Sequence, residues 1–280
     1  MTNLFRRTLT GVWIVIFVLG GFWLHPVSFY ITGLLIMAGT QYEYCQMVKN
    51  TGLRPQTLAG LLAGALIYTV STMVASDLLP AKSFFIIIPV LFLIMVTELY
   101  RKQERPFDSL AHTFFSLIYT ALPFSLFPFA AFAKTGIESL LPHPGIQFSP
   151  GIVVGFFLLL WINDTGAYLT GISFGKHQLM ARISPKKSWE GFFGGAVLTV
   201  IAAWLLAGWL GVVTSRWWIV IAATISVAGT YGDLAESMLK RSAGQKDSGS
   251  LMPGHGGFLD RFDSALLAFP LVYLFISVFG

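Results

Sequence analysis

The sequence predicts an all-α, polytopic integral membrane protein with about nine transmembrane helices and a cytoplasmic N-terminus. Of the 280 residues, 55% are hydrophobic and only 11% are charged, whereas a typical soluble domain has about 25% charged residues. Thirty-one charged side chains could not cover the surface of a soluble fold of this size. This composition argues against soluble, fibrous and disordered chains. The single cysteine, Cys45, excludes a disulfide framework and a cysteine-based zinc site.

The first apolar segment resembles a signal peptide, because Arg6 and Arg7 precede its apolar run. No small-residue cleavage site follows, so we interpret it as an uncleaved first span. The predicted spans are 8–24, 27–46, 58–76, 81–97, 110–133, 151–172, 192–213, 217–235 and 264–279. A bilayer core about 30 Å thick needs about 20 helical residues. The first, fourth and ninth spans are therefore short, and it stays open whether each fully crosses.

The distribution of basic residues predicts the orientation of these spans. With the N-terminus inside, the inner segments hold 15 Lys and Arg residues and the outer segments hold 3. This is a strong positive-inside signal, and it also explains the net charge of +5 without a nucleic-acid partner. Proline-containing loops suggest two parts, with N-terminal transmembrane helices at 1–135 and catalytic transmembrane helices at 136–280.

Two stretches on the predicted cytoplasmic side, Asn163–Gly191 and Asp233–Asp263, carry 15 of the 31 charged residues. In the second stretch, Asp233, Glu236 and Lys240 are spaced to share one helical face. Acidic groups at membrane depth are costly and usually functional. The alternative is an ion pair of Lys240 with Asp233 or Glu236 that merely ends the helix.

A glycine-rich segment, Gly244–Gly257, follows that helix. Its glycines let backbone N–H groups approach phosphate oxygens, although neither a Walker-type motif nor G-x-G-x-x-G is present. Asp260 and Asp263 come next, three residues apart, so both can face one site. Carboxylates beside clustered Lys and Arg suggest Mg²⁺ with bound phosphates, and three carboxylates from two helices could hold two metal ions.

The middle stretch has the same character. Its first motif, Asn163–Tyr168, lies in the inner half of the sixth span, where the alternative is a polar cluster that packs helices. Its second motif, Ser184–Gly191, precedes the seventh span. Ser188 would be a routine helix N-cap, and the paired lysines Lys186 and Lys187 could simply attract anionic headgroups.

The run from Ser237 to Asp263 resembles the signature of phosphatidate cytidylyltransferases (CDP-diacylglycerol synthases). The match spans 27 residues and includes Lys240, Arg241, Lys246, Asp247, Gly249, Met252, Pro253, His255, Gly256, Gly257, Phe258, Asp260, Arg261, Phe262 and Asp263. The segments Asp164–Tyr168 and Ser184–Gly191 resemble upstream motifs of that family. The resemblance covers the chain and is loosest over the first 150 residues.

The resemblance implies that CTP and phosphatidate give CDP-diacylglycerol and pyrophosphate with Mg²⁺, at a site facing the cytoplasm in a bacterial inner membrane. It also implies a homodimer as a common assembly. We expect a metal site formed by Asp233, Asp260 and Asp263. The expected catalytic residues are Lys240, Arg241, Lys246, Asp247 and His255, with Glu236 supporting the metal ligands. The expected substrate-binding residues are Asp164, Ser184, Lys186, Lys187, Glu190, Gly256, Gly257 and Arg261.

Three other functions stay open at this point. A CTP-dependent lipid kinase of related fold would transfer the γ-phosphate of CTP. Only the full signature from Ser237 to Asp263 favours nucleotidyl transfer over this kinase reaction. A CDP-alcohol phosphotransferase also uses clustered aspartates, but its D-G-x-x-A-R pattern is missing. A transporter could use Asp164, Asp233 and Glu236 as a proton relay, but the internal symmetry common in transporters is not evident.

Overall fold

The computed structural model describes residues 3–132, 147–210, 212–245, 247–249 and 256–279. Helices dominate, as the composition predicts. The first part of the chain contains α1 (Asn3–Leu24), α2 (Pro26–Lys49), α3 (Thr57–Ala75), a 3₁₀ turn (Ala81–Ile86), α4 (Ile87–Tyr100), α5 (Pro106–Ser116), a π-helical turn (Leu117–Ala121), α6 (Leu122–Ser125) and α7 (Phe127–Ala131).

The second part contains α8 (Gly151–Phe174), β1 (Gln178–Met180), β2 (Ser184–Ser188), α9 (Trp189–Leu210), α10 (Ser215–Thr224), a π-helical turn (Ile225–Gly229), α11 (Thr230–Ser242) and α12 (Leu259–Phe279). The two strands form a small antiparallel hairpin that the sequence did not predict. The hairpin contains the lysine pair expected to precede the seventh span.

Seven helical segments within the described residues are long and apolar enough to cross a membrane. They are Thr57–Ala75, Ala81–Tyr100, Pro106–Ala131, Gly151–Phe174, Trp189–Leu210, Ser215–Ser242 and Leu259–Phe279. The apolar part of α1, Gly11–Leu24, is shorter, and α2 carries Gln41 and Glu43. The all-α membrane class is thus confirmed, while the count of nine spans and their orientation stay predictions.

The last span begins earlier than predicted. Helix α12 begins at Leu259, five residues before the predicted start at 264. It therefore includes Asp260, Arg261 and Asp263 in its first turns. In the sequence, these charged residues placed the start of the predicted span at 264. The N-terminal turn of a helix nevertheless accommodates acidic groups well, because its N–H groups point toward them.

The chain forms two compact units. One comprises residues 1–150 and 243–260, and the other comprises residues 151–242 and 261–280. Residues 243–260 thus belong to the same unit as the N-terminal helices. The predicted boundary between residues 135 and 136 lies outside the described residues.

Buried polar side chains stabilise the packing of the first unit. The Gln41 amide in α2 donates to the Gly60 carbonyl at 2.9 Å and to Ser116 Oγ at 3.1 Å. The Gln56 amide donates to the Glu98 carboxylate at 2.6 Å. Hydrogen bonds of this kind stabilise helix association where lipid offers no polar partner.

Small residues bring α8 and α9 close together in the second unit. A Cβ added at Gly195 would lie 2.8 Å from the Asn163 carbonyl oxygen, so only glycine permits this backbone approach. Thr199 Oγ1 donates to Asn163 Oδ1 at 3.3 Å across the same contact. This packing fixes the helix that carries Asp164.

Candidate active site

Three carboxylates of the second unit converge on one point. Ligand oxygens of Asp233, Glu236 and Asp263 lie within 4.8 Å of one another. Glu236 is fully buried and Asp263 is 8% exposed. Negative charges this close repel one another unless cations compensate them. Oxygen donors without His or Cys are the ligands that hard divalent cations such as Mg²⁺ prefer.

A glycine allows the two helices of this group to meet. Asp233 and Glu236 lie one turn apart on α11, and Gly232 precedes them. A Cβ at Gly232 would lie 2.8 Å from the Asp263 carbonyl oxygen and 3.0 Å from Ser264 Cα. Glycine lets two backbones pack this closely. The close approach brings Asp263 of α12 beside the acidic face of α11.

Two lysines neutralise part of this charge. Lys187 Nζ, in β2, lies 2.6 Å from Asp233 Oδ2. Lys240 Nζ lies 2.5 Å from Glu236 Oε2, one turn along α11. The ion pair of Lys240 with Glu236, which sequence analysis considered as a simple end of the helix, is therefore present. However, Asp263 and Lys187 meet the same face from other elements, so the pair belongs to a larger charged group.

The charged group extends to α8. Asp164 lies close enough to Asp233, Lys187 and Arg261 for their charges to act on it. The Asp164 side chain is exposed, and so is Arg261. The motif of the sixth span therefore lies close to Asp233 of α11 and Arg261 of α12.

Hydrogen bonds of Ser188 and Glu190 hold the hairpin that carries Lys187. Gly191 N–H donates to Ser188 Oγ at 3.1 Å, so Ser188 is the N-cap of α9 as predicted. Glu190 accepts hydrogen bonds from the backbone N–H groups of Lys176 at 3.1 Å and His177 at 3.2 Å. Its carboxylate also lies 2.6 Å from His177 Nδ1. Glu190 thus holds the turn that precedes β1.

Asp260 occupies a different environment from the three clustered carboxylates. Its Oδ2 accepts hydrogen bonds from Gly257 N–H at 2.9 Å and Ser248 N–H at 3.2 Å. Gly256 has a φ of 82°, which favours glycine. Asp260 therefore holds the backbone at Ser248 and Gly257. Metal binding by Asp260 stays a prediction.

The remaining predicted site residues have simpler surroundings. Lys186, Arg241 and Asp247 are exposed, whereas Ser184 is half-buried in β2. Lys246 and His255 lie outside the described residues. Their expected roles, like those of the other site residues, stay predictions.

The surroundings of two acidic residues, Glu236 and Glu43, were not predicted from the sequence. Glu236 was expected to support the metal ligands, but its carboxylate lies within the group of three. Glu43 was not singled out at all, although it is 2% exposed and accepts a hydrogen bond from Leu259 N–H at 2.9 Å. A carboxylate inside an apolar run was the available signal for Glu43.

Comparison with known proteins identifies the family of this chain. The sequence profile described as the cytidylyltransferase family matches residues 5–279. A phosphatidate cytidylyltransferase of Staphylococcus epidermidis is 37% identical over 179 residues, which are 60% of this chain and 67% of that protein. Phosphatidate cytidylyltransferases of Staphylococcus saprophyticus and Staphylococcus aureus are 39% identical over 179 and 180 residues, with the same shares covered.

Proposed function

Because this chain belongs to the cytidylyltransferase family, we propose that it transfers the cytidylyl group of CTP to phosphatidate, giving CDP-diacylglycerol and pyrophosphate. This reaction makes it a nucleotidyltransferase of phospholipid biosynthesis. The observation that carries the proposal is the charged group that combines Asp233, Glu236 and Asp263 with Lys187 and Lys240. Such a group suits the joining of two phosphate-bearing substrates.

The chemistry requires no nucleophile from the protein. A phosphatidate oxygen, already anionic, attacks the α-phosphorus of CTP and forms the new P–O bond. The bond between the α-phosphorus and the bridging oxygen breaks, and pyrophosphate leaves with that electron pair. The barrier lies in bringing two polyanions together and in stabilising the developing charge, so positioning and electrostatics dominate.

The three carboxylates are the residues that would hold Mg²⁺, as one ion or two. Their all-oxygen donor set fits this ion. When bound, Mg²⁺ supplies Lewis-acid stabilisation of phosphate charge. Lys187 and Lys240 now neutralise the same carboxylates. Their ammonium groups would also contact phosphate oxygens of a bound substrate.

The other charged residues have supporting roles in this proposal. Arg241 and Arg261 are exposed cations that would contact the triphosphate or the lipid phosphate. Lys186 would attract anionic headgroups at the entrance, and Asp164 would orient Lys187. The diacylglycerol tails would stay in the bilayer. We further propose that the site faces the cytoplasm at a bacterial inner membrane, where the basic loops favour this orientation. A homodimer stays a prediction.

A labelling experiment tests the reaction. Purified protein in detergent is given phosphatidate and CTP labelled at either the α- or the γ-phosphate, with and without Mg²⁺. We expect α-label in the lipid and γ-label in pyrophosphate, with both products requiring Mg²⁺. Appearance of γ-label in the lipid would identify a CTP-dependent lipid kinase instead. If neither label reached lipid or pyrophosphate, the transporter interpretation would regain support.

A further inference from the structure

A cavity of about 830 Å³ lies within the first unit, between the end of α2, the start of α3 and the residue that follows α4. Its volume is typical of sites that bind small ligands, which span about 300–1,000 Å³. Its lining comes from residues 49–59 and from Arg101. None of these residues has a part in the proposed reaction, so the cavity requires an explanation of its own.

Three basic side chains from different elements line this cavity. Lys49 is in the last turn of α2, Arg54 lies in the connection to α3, and Arg101 directly follows α4. Arg101 is partly neutralised, because its guanidinium lies 2.8 Å from the Glu98 carboxylate. Lys49 and Arg54 are exposed and form no ion pair with any residue that the structure describes. The cavity therefore has a net positive charge.

The N-terminus of α3 meets the same cavity. Leu58 and Ala59, the second and third residues of α3, belong to its lining, and a helix has no internal acceptor for the N–H groups at such positions. Gln56 precedes α3, but its side chain does not cap the helix. Its amide instead donates to the Ile94 carbonyl at 2.9 Å and to Glu98 at 2.6 Å. The helix dipole thus adds to the attraction that the basic side chains exert on an anion.

The position of the cavity indicates that this anion is part of a lipid. The cavity lies where one apolar membrane-length helix, Thr57–Ala75, begins and where another, Ala81–Tyr100, ends. Leu58 and Leu62, one turn apart on α3, are 71% and 64% exposed and offer an apolar surface that leads away from the charged residues. Basic pockets between the cytoplasmic ends of transmembrane helices are typical sites for anionic headgroups.

We propose that this cavity binds the headgroup phosphate of an anionic phospholipid. Lys49 and Arg54 would contact the phosphate directly. Arg101 would use N–H groups other than those that donate to Glu98 and to the Arg54 carbonyl, since a guanidinium has five such donors. An acyl chain of the lipid would lie along Leu58 and the rest of α3. This site goes beyond the proposed function and requires no nucleotide.

Direct lipid binding tests the proposal. Purified protein in an uncharged detergent is titrated with phosphatidylglycerol or with zwitterionic phosphatidylcholine, and bound lipid is counted by native mass spectrometry. Each basic residue near a membrane surface strengthens the binding of anionic lipid by about 5-fold. Lys49→Gln/Arg54→Gln should therefore weaken phosphatidylglycerol binding by about 30-fold and leave the weaker phosphatidylcholine binding unchanged.

Lys102→Gln/Arg105→Gln is the matched control. It removes the same charge on the same predicted side of the membrane, and neither residue lines the cavity. Its affinity for phosphatidylglycerol should fall by less than about 3-fold, because these charges act on the headgroup only through solvent. Equal weakening in both double variants, or unchanged binding in Lys49→Gln/Arg54→Gln, would overturn the proposal.

Thermal unfolding without lipid shows whether each variant is folded. Should the double variant not fold, the single variants Lys49→Gln and Arg54→Gln decide, each with an expected loss of about 5-fold. All of these variants keep every residue of the carboxylate group unchanged. A difference in affinity between them therefore reports on the cavity and not on the candidate active site.

Competition with inorganic phosphate distinguishes a lipid from a soluble anion. Excess phosphate should displace little phosphatidylglycerol, because phosphate has no acyl chain to contact α3. Displacement at equal concentrations would show that the cavity binds a soluble anion and that the lipid assignment is wrong. Because no CTP is present in these measurements, failure of the proposed cytidylyl transfer would leave their outcome unaffected.

Discussion

Gly232→Ala should loosen the carboxylate group without removing any charge. The added Cβ would lie 2.8 Å from the Asp263 carbonyl oxygen, whereas an ordinary contact needs about 3.5 Å. The obstructing atoms belong to the backbone, so α11 and α12 must separate by about 0.7 Å, the difference between these distances. The carboxylates of Asp233 and Asp263 separate with their helices.

A displacement of this size has a predictable cost. Misplacement of reacting groups by about 1 Å can reduce a rate by about 100-fold, so we expect kcat to fall by about 10- to 100-fold. The Mg²⁺ concentration for half-maximal rate should rise. Overpacking should cost about 1–3 kcal/mol of stability, partly offset by the helix propensity that alanine gains over glycine, about 1 kcal/mol.

The assay is CDP-diacylglycerol formation measured across a Mg²⁺ titration, with thermal unfolding followed in parallel. Gly208→Ala is the matched control, because a Cβ at Gly208 in α9 meets nothing within 4 Å. That variant should keep the wild-type titration. An unchanged Mg²⁺ titration and rate in Gly232→Ala would refute the reasoning that this close approach sets the geometry of the site.

Three further predictions concern charge. Asp263→Asn should abolish turnover in a folded protein, as a metal ligand requires, and residual activity near the wild-type rate would remove Asp263 from the metal site. Asp260→Asn should also abolish turnover if Asp260 binds metal. A normal Mg²⁺ titration with retained turnover would show that Asp260 only holds the backbone at Ser248 and Gly257. Lys240→Met should destabilise the protein by about 3–5 kcal/mol, because it leaves the buried Glu236 carboxylate uncompensated. Adding Glu236→Gln should restore stability in thermal unfolding but not activity, and restored activity would exclude both residues from the site.

The sequence predicted the fold class because composition and apolar run length respond directly to the bilayer. It predicted the shared face of Asp233, Glu236 and Lys240 because helical spacing alone places them together. It also predicted the cap at Ser188, since capping depends on neighbours within three residues. These features are local, so the order of residues suffices to predict them.

Other features required contacts between distant residues. The sequence could not show that Lys187 pairs with Asp233, since 46 positions separate them. It placed Asp260 among the metal ligands because of its spacing from Asp263, whereas its visible contacts are with Ser248 and Gly257. The spacing of residues along a helix predicts which helix face each side chain lies on, but not which residue that side chain contacts.

The sequence by itself determined that this chain is a helical membrane protein with its charges gathered in two short stretches. It also carried the signature from Ser237 to Asp263 that indicated the chemistry. Only the tertiary structure decided which charges meet, that Gly232 sets the approach of α11 and α12, and that Glu43 accepts a hydrogen bond from the first residue of α12. The physical reason is that composition and periodicity report the solvent around each helix, whereas hydrogen bonds and ion pairs depend on how helices pack.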